Sequence, residues 1–485
     1  GTITNLINSG TISAEVTDAT VDENYGIFND GGTITNLTNT GTISGGTYDI
    51  GPTGHIVEFN NLQLGLTYSG TLPRNYSTII QENNYGQLFI SGTPTESSTG
   101  DTVYTPFAGS VYAGAHIPSG TYTNVMTGMP DANLHSTISG TLTGDGVDSV
   151  GTVNWALTEA STNNWNLTTS GGTYIYIGRE NTQLAINQTA YNVGDVFKNL
   201  SAAGNFANMT TYDCNFFNGK DNCISIGGRV TKAGGTDSAA VVVAGKKLND
   251  NVRIGGYIDQ TTNYNDYKDI DINSKIPLMG IMGVWNKSAD HLGLQVKFAN
   301  SYQSNDATIT RAVVGSSELA KGDTEIKSQS YIGEVSHQIY DAEHNITFKR
   351  FGALRYMKTE LEGYREKDVN LPVTYQSTRD ENLAAIIGIK AYHKISPKIT
   401  LNGSLGLEHD INDNEANLNG ETNGISAYNL ASVGNDKNDT RVLASLGTHM
   451  YLDFGGRIEV KGMYQELRYN KDDATTVYVT YTLPF

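Results

Sequence analysis

Nowhere do the 485 residues contain an apolar run approaching the roughly 18 that a membrane helix requires. Crossing a bilayer by helices is thereby excluded, while strands stay open, because barrel strands alternate and give a weak hydropathy signal per segment. Basic residues are scarce at the front: among 32 lysines and arginines, Arg74 and Arg179 stand alone in the first 180 positions. A net charge of −18 without any basic cluster argues against nucleic-acid binding, which needs a positive footprint on some face. Proline is sparse at 10, and charged residues make up 17%, below the roughly 25% of an average soluble domain. Tyrosine (28) and glycine (54) are plentiful instead. This bias suits β-structure facing something other than water. The chain opens at Gly1 without a signal peptide, which reads as a processed or trimmed N-terminus.

Catalytic motifs are missing too. There is no nucleophile elbow, no H-E-x-x-H helix and no P-loop. His55, His116 and His135 lack metal-ligand spacing. Asp410, Asn412, Asn414 and Glu421 occupy positions one, three, five and twelve of a calcium loop, but Glu415 replaces the glycine that its sharp turn needs. No enzymatic activity, cofactor or metal is expected. The two cysteines, Cys214 and Cys223, lie nine positions apart and predict a local disulfide in an oxidising compartment; two thiols without a nearby histidine make a poor metal site.

What is present from Cys223 onward is alternation. Ile399, Leu401, Gly403, Leu405 and Leu407 share one face of a strand, and Thr400, Asn402, Ser404, Gly406 and Glu408 the other. Strands are predicted near 223–232, 238–246, 251–260, 276–286, 291–303, 324–340, 345–359, 382–395, 398–410, 440–453, 457–469 and 475–485, twelve in all. Connections after even-numbered strands are tight; those after the third, fifth, seventh and ninth are long and polar. Short turns on one rim and long loops on the other mark an outer-membrane barrel, with the long loops outside. In the last strand Val477, Val479, Tyr481, Leu483 and Phe485 form an apolar face, which looks like the terminal signal read by the barrel-assembly machinery of Gram-negative bacteria.

Ahead of the strands, Ala190, Val193, Val196, Phe197 and Leu200 follow a helical period between about Gln183 and Gly204, with Asn187 as N-cap and Gly204 as stop. A helix is roughly 10 to 12 Å across, and a twelve-stranded barrel has room for one, inside a polar lumen. Further upstream, GTITNLINSGTIS at Gly1–Ser13 recurs as GTITNLTNTGTIS at Gly32–Ser44. Such a repeat predicts stacked rungs of a right-handed parallel β-helix, with Ile3, Leu6 and Ile12 over Ile34, Leu37 and Ile43. After Asp49 the repeat dissolves, and that region reads as a cap on the solenoid.

In this order of parts the chain resembles the monomeric (type Va) autotransporters. The resemblance implies an all-β fold: a twelve-stranded antiparallel outer-membrane barrel with one lumenal α-helix, preceded by a short right-handed parallel β-helix stem. It places a passenger remnant at 1–182, a lumenal linker at 183–205 and the barrel at 206–485. It further implies a monomer in the outer membrane, in contact with lipid and lipopolysaccharide, assembled by the barrel-assembly machinery and periplasmic chaperones, with its passenger at the cell surface. The implied function is type V secretion, in which the barrel anchors and displays its own passenger. The alternative is a surface adhesin that binds a host or neighbouring-cell ligand through the β-helix. Some relatives cut themselves between two Asn residues in the lumenal helix; here Asn187 precedes Gln188 and Asn199 precedes Leu200, so the passenger is expected to stay attached.

Overall fold

The computed structural model describes residues 1–14, 24–81, 84–96, 100–106, 116–265, 267–434, 437–469 and 472–485. Two units emerge: Gly1–Thr182 with Val313–Glu318, and Gln183–Ala312 with Leu319–Phe485.

In the first unit the repeat becomes a parallel β-helix. Thr2–Asn8 pairs in parallel with Thr33–Asn39, placing Ile3 beside Ile34 and Leu6 beside Leu37. The ladder then continues where the sequence repeat has ended, through His55–Asn61, Asn75–Thr78 and Val103–Pro106. One stack therefore runs Leu6, Leu37, Phe59, Tyr76, Tyr104, changing from aliphatic to aromatic without leaving register. Offsets between rungs vary, so periodicity disappears from the sequence while the fold persists. Polar residues stack as well: the buried Asn8 donates to Asn39 Oδ1 at 2.9 Å, and Asn39 to Asn61 Oδ1 at 3.2 Å. The cap is antiparallel. Ser139–Thr143, Thr152–Ser161 and Asn164–Ser170 pair in chain order, and Gly120–Thr127 pairs with the last of them beside the final rungs, closing an edge that would otherwise template pairing.

The second unit is a closed barrel of twelve antiparallel strands. They are Asn222–Ala233, Gly235–Lys247, Val252–Asn265, Ile270–Asn286, Gly293–Arg311, Ala320–Asp341, Ile346–Leu361, Thr378–Ser396, Ile399–Asn414, Thr440–Tyr451, Arg457–Glu466 and Asp473–Pro484. The twelfth closes on the first, with Leu483 opposite Ile224. Each strand predicted from alternation is found, but several run further toward the loop rim. Ile270 pairs with Ile309 and Asp271 with Thr308, so the long connection expected after the third strand shrinks to 266–269. Apolar alternation marks only the lipid-crossing part; ladder hydrogen bonds continue beyond it regardless of side-chain polarity.

The barrel wall reverses the usual order of burial. Leu405 and Ile387 are 56% and 64% exposed on the outer face, whereas Glu408 and Glu334 are buried at 1% and 2% inside. An apolar exterior around a charged interior is what strands facing lipid on one side and a lumen on the other require. Among the described residues no helix is long and apolar enough to cross a membrane.

Candidate functional site: the occupied barrel lumen

The helix Arg179–Phe206 continues through a π-helical turn, Ala207–Thr211. It is longer than its predicted span at both ends. Asn187 is not an N-cap but lies inside the helix, where Gln183 donates to it at 2.9 Å. Gly204 does not stop the helix, which runs on past it while side chains of the barrel wall bond its backbone. Gln303 of the fifth strand donates to the Leu200 carbonyl at 3.2 Å, and Gln465 of the eleventh to that of Ala202 at 3.1 Å. Lys297 donates to the Asn208 carbonyl at 3.0 Å, bringing positive charge to the negative end of the helix dipole. Further bonds run from Asn199 to Asp237 at 3.1 Å, from Asn205 to Gln465 at 2.6 Å, and from Asn208 to Ser330. Partners on the second, fifth, sixth and eleventh strands surround the helix, so it occupies the lumen.

Ala190, Val193, Val196, Phe197 and Leu200 are all buried, but not against a polar wall as the alternation implied. They share an apolar cluster with Ile270, Ile309, Ile326 and Leu361 of the loop-side strand ends, and with Val373, Leu418 and Val433 of the connections above. Those connections build small sheets of their own: Tyr364–Arg365, Val373–Tyr375 and Gly420–Thr422 in one, Asn417–Leu418 and Ala431–Ser432 in another. A buried Arg311–Glu366 pair at 2.7 Å anchors them, with the Glu366 carboxylate also accepting from the Val373 N–H at 2.9 Å. Described residues of the outer connections are thus folded onto the helix. Glu421 of the candidate calcium loop lies in this loop sheet, accepting from Gln376 at 2.9 Å, while Asp410 faces the lumen and binds Arg441.

A second apolar cluster, with Phe206, Met209, Tyr212, Met282, Ala299, Phe351 and Met463, packs around the lower end of the helix, and charged networks line the wall beside it. Arg229 of the first strand reaches Asp259 through Nε at 2.7 Å and Nη2 at 3.1 Å, and Asp237 at 2.8 Å. Tyr212, just after the helix, donates to the same Asp259. On the far wall Glu408 accepts from both Arg355 and Arg441, Arg441 also bonds Asp410 at 2.8 Å, and Arg468 bonds Asp380 and Asp413. These residues were not singled out from the sequence as a network. The available signal was a charged side chain at an inward register position of an apolar alternation, as Glu408 is.

Below the helix the chain meets the wall covalently: Cys214 and Cys223 form a disulfide with Cα atoms 6.1 Å apart. Gly245 makes room, since a Cβ there would sit 2.6 Å from the Cys214 carbonyl oxygen. On the strand that closes the barrel, Val477, Val479 and Leu483 are exposed on the outer face, as is Phe485, and the Tyr481 ring packs 6.4 Å from that of Phe454.

Residues 225–464 match the family model described as the autotransporter beta-domain. Among solved structures, the translocator domain of the autotransporter NalP from Neisseria meningitidis is 17% identical, covering 55% of this chain and 90% of its own, with a TM-score of 0.41. The transport unit of AIDA-I from Escherichia coli is 13% identical, covering 61% and 99%, with a TM-score of 0.37. The beta domain of the Bordetella autotransporter BrkA is 10% identical, covering 55% and 99%, with a TM-score of 0.37. No curated protein matches the chain. Residues 225–464 thus carry an autotransporter beta-domain, and the barrel they build is an outer-membrane translocator domain.

Proposed function

We propose that the lumen conveys the chain's own N-terminal unit to the cell surface and is then kept closed by the helix, so that one protein secretes, anchors and displays its passenger. The observation that carries this reading is the helix Arg179–Phe206 inside the barrel, followed by the segment that joins the first strand at the short-turn rim. Short turns face the periplasm in barrels of this kind, so a chain descending from the loop rim comes from outside. The protein works as a monomer of the type Va class, since a closed barrel has no edge left to pair. It catalyses no reaction. Its partners are lipid and lipopolysaccharide on the outer face, and the barrel-assembly machinery and periplasmic chaperones on the way there, with Val477, Val479, Tyr481, Leu483 and Phe485 as the recognised face.

Planar-bilayer recording tests the plug. The full chain is expected to be nearly silent, and a chain lacking residues 1–203 to show large, steady conductance. Equal conductance from both would remove the proposal. Adhesion through the β-helix is a second reading, favoured by outward polar stacks such as Asn5 and Asn36, bonded at 2.8 Å. Deleting residues 1–180 then abolishes cell attachment, whereas a bare translocator stem leaves it unchanged.

A further inference from the structure

The short-turn half of the lumen is only partly filled by the cluster around the helix end. A cavity of about 410 Å³ opens there, lined by Arg253, Lys297, Lys349, Lys390, Arg457 and Lys461 among others. Several of these cations are answered. Arg253 holds Asp213 at 2.7 Å, Lys349 and Lys390 share Glu334 at 2.7 and 3.0 Å, and Glu459 lies 3.3 Å from His449 and 3.8 Å from Arg457. Others are not. Lys461 is buried to nine-tenths and has no carboxylate within ion-pair distance among the described residues. Lys297, also buried, gives its hydrogen bond to a backbone carbonyl and likewise lacks a carboxylate.

Two further lining groups show the same deficit. The side-chain nitrogen of Asn402 is buried without an acceptor, and so is Nε of Arg457. The buried unsatisfied groups of the lining are donors and its two buried unpaired charges are positive; Asp290, a lining acid without an ion pair among the described residues, is exposed and accepts from the Leu292 N–H. Buried polar groups are rarely left without partners, and a buried charge without a counter-charge is costlier still. A ligand that corrects both faults must accept several hydrogen bonds and carry negative charge. Water offers acceptors but no charge; a small oxyanion offers both.

We propose that this cavity is a binding site for a small oxyanion of the phosphate or sulfate class, taken from the solution on the short-turn side of the membrane and held by Lys461, Lys297, Arg457 and Asn402. The site lies beyond the helix terminus, within the span where Lys297 also holds the Asn208 carbonyl, so a bound anion neutralises the lysines and firms the lower end of the plug.

The probe is inorganic phosphate, added to the folded full chain in detergent. Equilibrium dialysis is expected to show saturable binding near one phosphate per chain, displaced by sulfate and not by chloride at matched ionic strength. The temperature at which the folded form is lost on unboiled gels is expected to rise with phosphate and not with chloride. Lys461→Gln weakens binding roughly tenfold or more, the worth of a charge-assisted hydrogen bond, while keeping the folded mobility. Absence of saturable binding to the unaltered chain overturns the proposal without reference to any variant. Full retention of affinity in a folded Lys461→Gln chain does so as well.

Discussion

A Cβ built on Gly194 of the lumenal helix would lie 2.0 Å from the carbonyl oxygen of Val433. Helix and outer connection therefore meet backbone to backbone, and that approach is what draws the loop lid down onto Val193, Val196 and Phe197. Gly194→Ala gains about 1 kcal/mol of helix propensity, yet the backbone overlap is too large to absorb without displacing the lid. Trypsin is expected to cut the folded variant faster after Lys437, in the same connection. An unchanged cleavage rate would mean that the lid rests on other contacts.

Phe197 sits fully packed in the apolar outer cluster, not in the polar lumen that strand alternation suggested. Phe197→Asp puts an unpaired carboxylate among Ile270, Ile309 and Leu361, and burying such a group costs several kcal/mol. The variant should lose its folded gel mobility at a markedly lower temperature. Phe197→Leu removes volume alone and should cost less.

Glu408 is the shared acceptor of Arg355 and Arg441, and all three side chains are buried. Removing one partner of such a set leaves uncompensated charge and costs roughly 3 to 5 kcal/mol. Glu408→Gln is expected to lower the unfolding temperature in detergent. In a double-mutant cycle with Arg355→Met the two changes should be non-additive by about 0.5 to 3 kcal/mol, as expected for residues in one network. Simple additivity would contradict the network.

The Cys214–Cys223 bond closes a loop with a sequence separation of 9. On chain-entropy grounds its contribution is modest, below the roughly 3 kcal/mol of a 15-residue loop. Thiol labelling of unreduced, unfolded protein should find no free cysteine. Cys214→Ser with Cys223→Ser should still fold, with a small drop in thermal stability; failure to fold would show that the staple is needed to position the first strand.

In the cap of the β-helix, partial burial pushes the Asp145 carboxyl up, but hydrogen bonds from the Val147 and Asp148 N–H groups and from Ser149 outweigh it and bring the pKa from 3.8 down to about 2. A depressed folded pKa means that the carboxylate stabilises its turn above pH 3.8 and that this help is lost as the pH falls toward 2. Carboxyl NMR titration of the labelled chain should place the midpoint near the lower value. A midpoint near 3.8 would count against these bonds.

The barrel was legible in the sequence because lipid imposes a rule that acts locally. Leu401, Leu405 and Leu407 had to alternate with Asn402, Ser404 and Glu408, and each strand carries that demand by itself. The β-helix was legible only while its spacing was constant. From His55 on, register is set by stacking, so Phe59, Tyr76 and Tyr104 extend the ladder of Leu6 and Leu37 with no repeat to announce it. The helix announced its buried stripe but not its ends: Gly204 lies inside it, at the level where Gln303 and Gln465 of the wall bond the carbonyls of Leu200 and Ala202. What only the tertiary structure decided is the content of the lumen. Which inward charge meets which, Arg229 with Asp259 or Glu408 with Arg441, depends on barrel closure, and no single strand encodes it. The same closure leaves Lys461 and Asn402 facing one cavity, because residues from different strands become neighbours only once the twelfth strand has paired with the first.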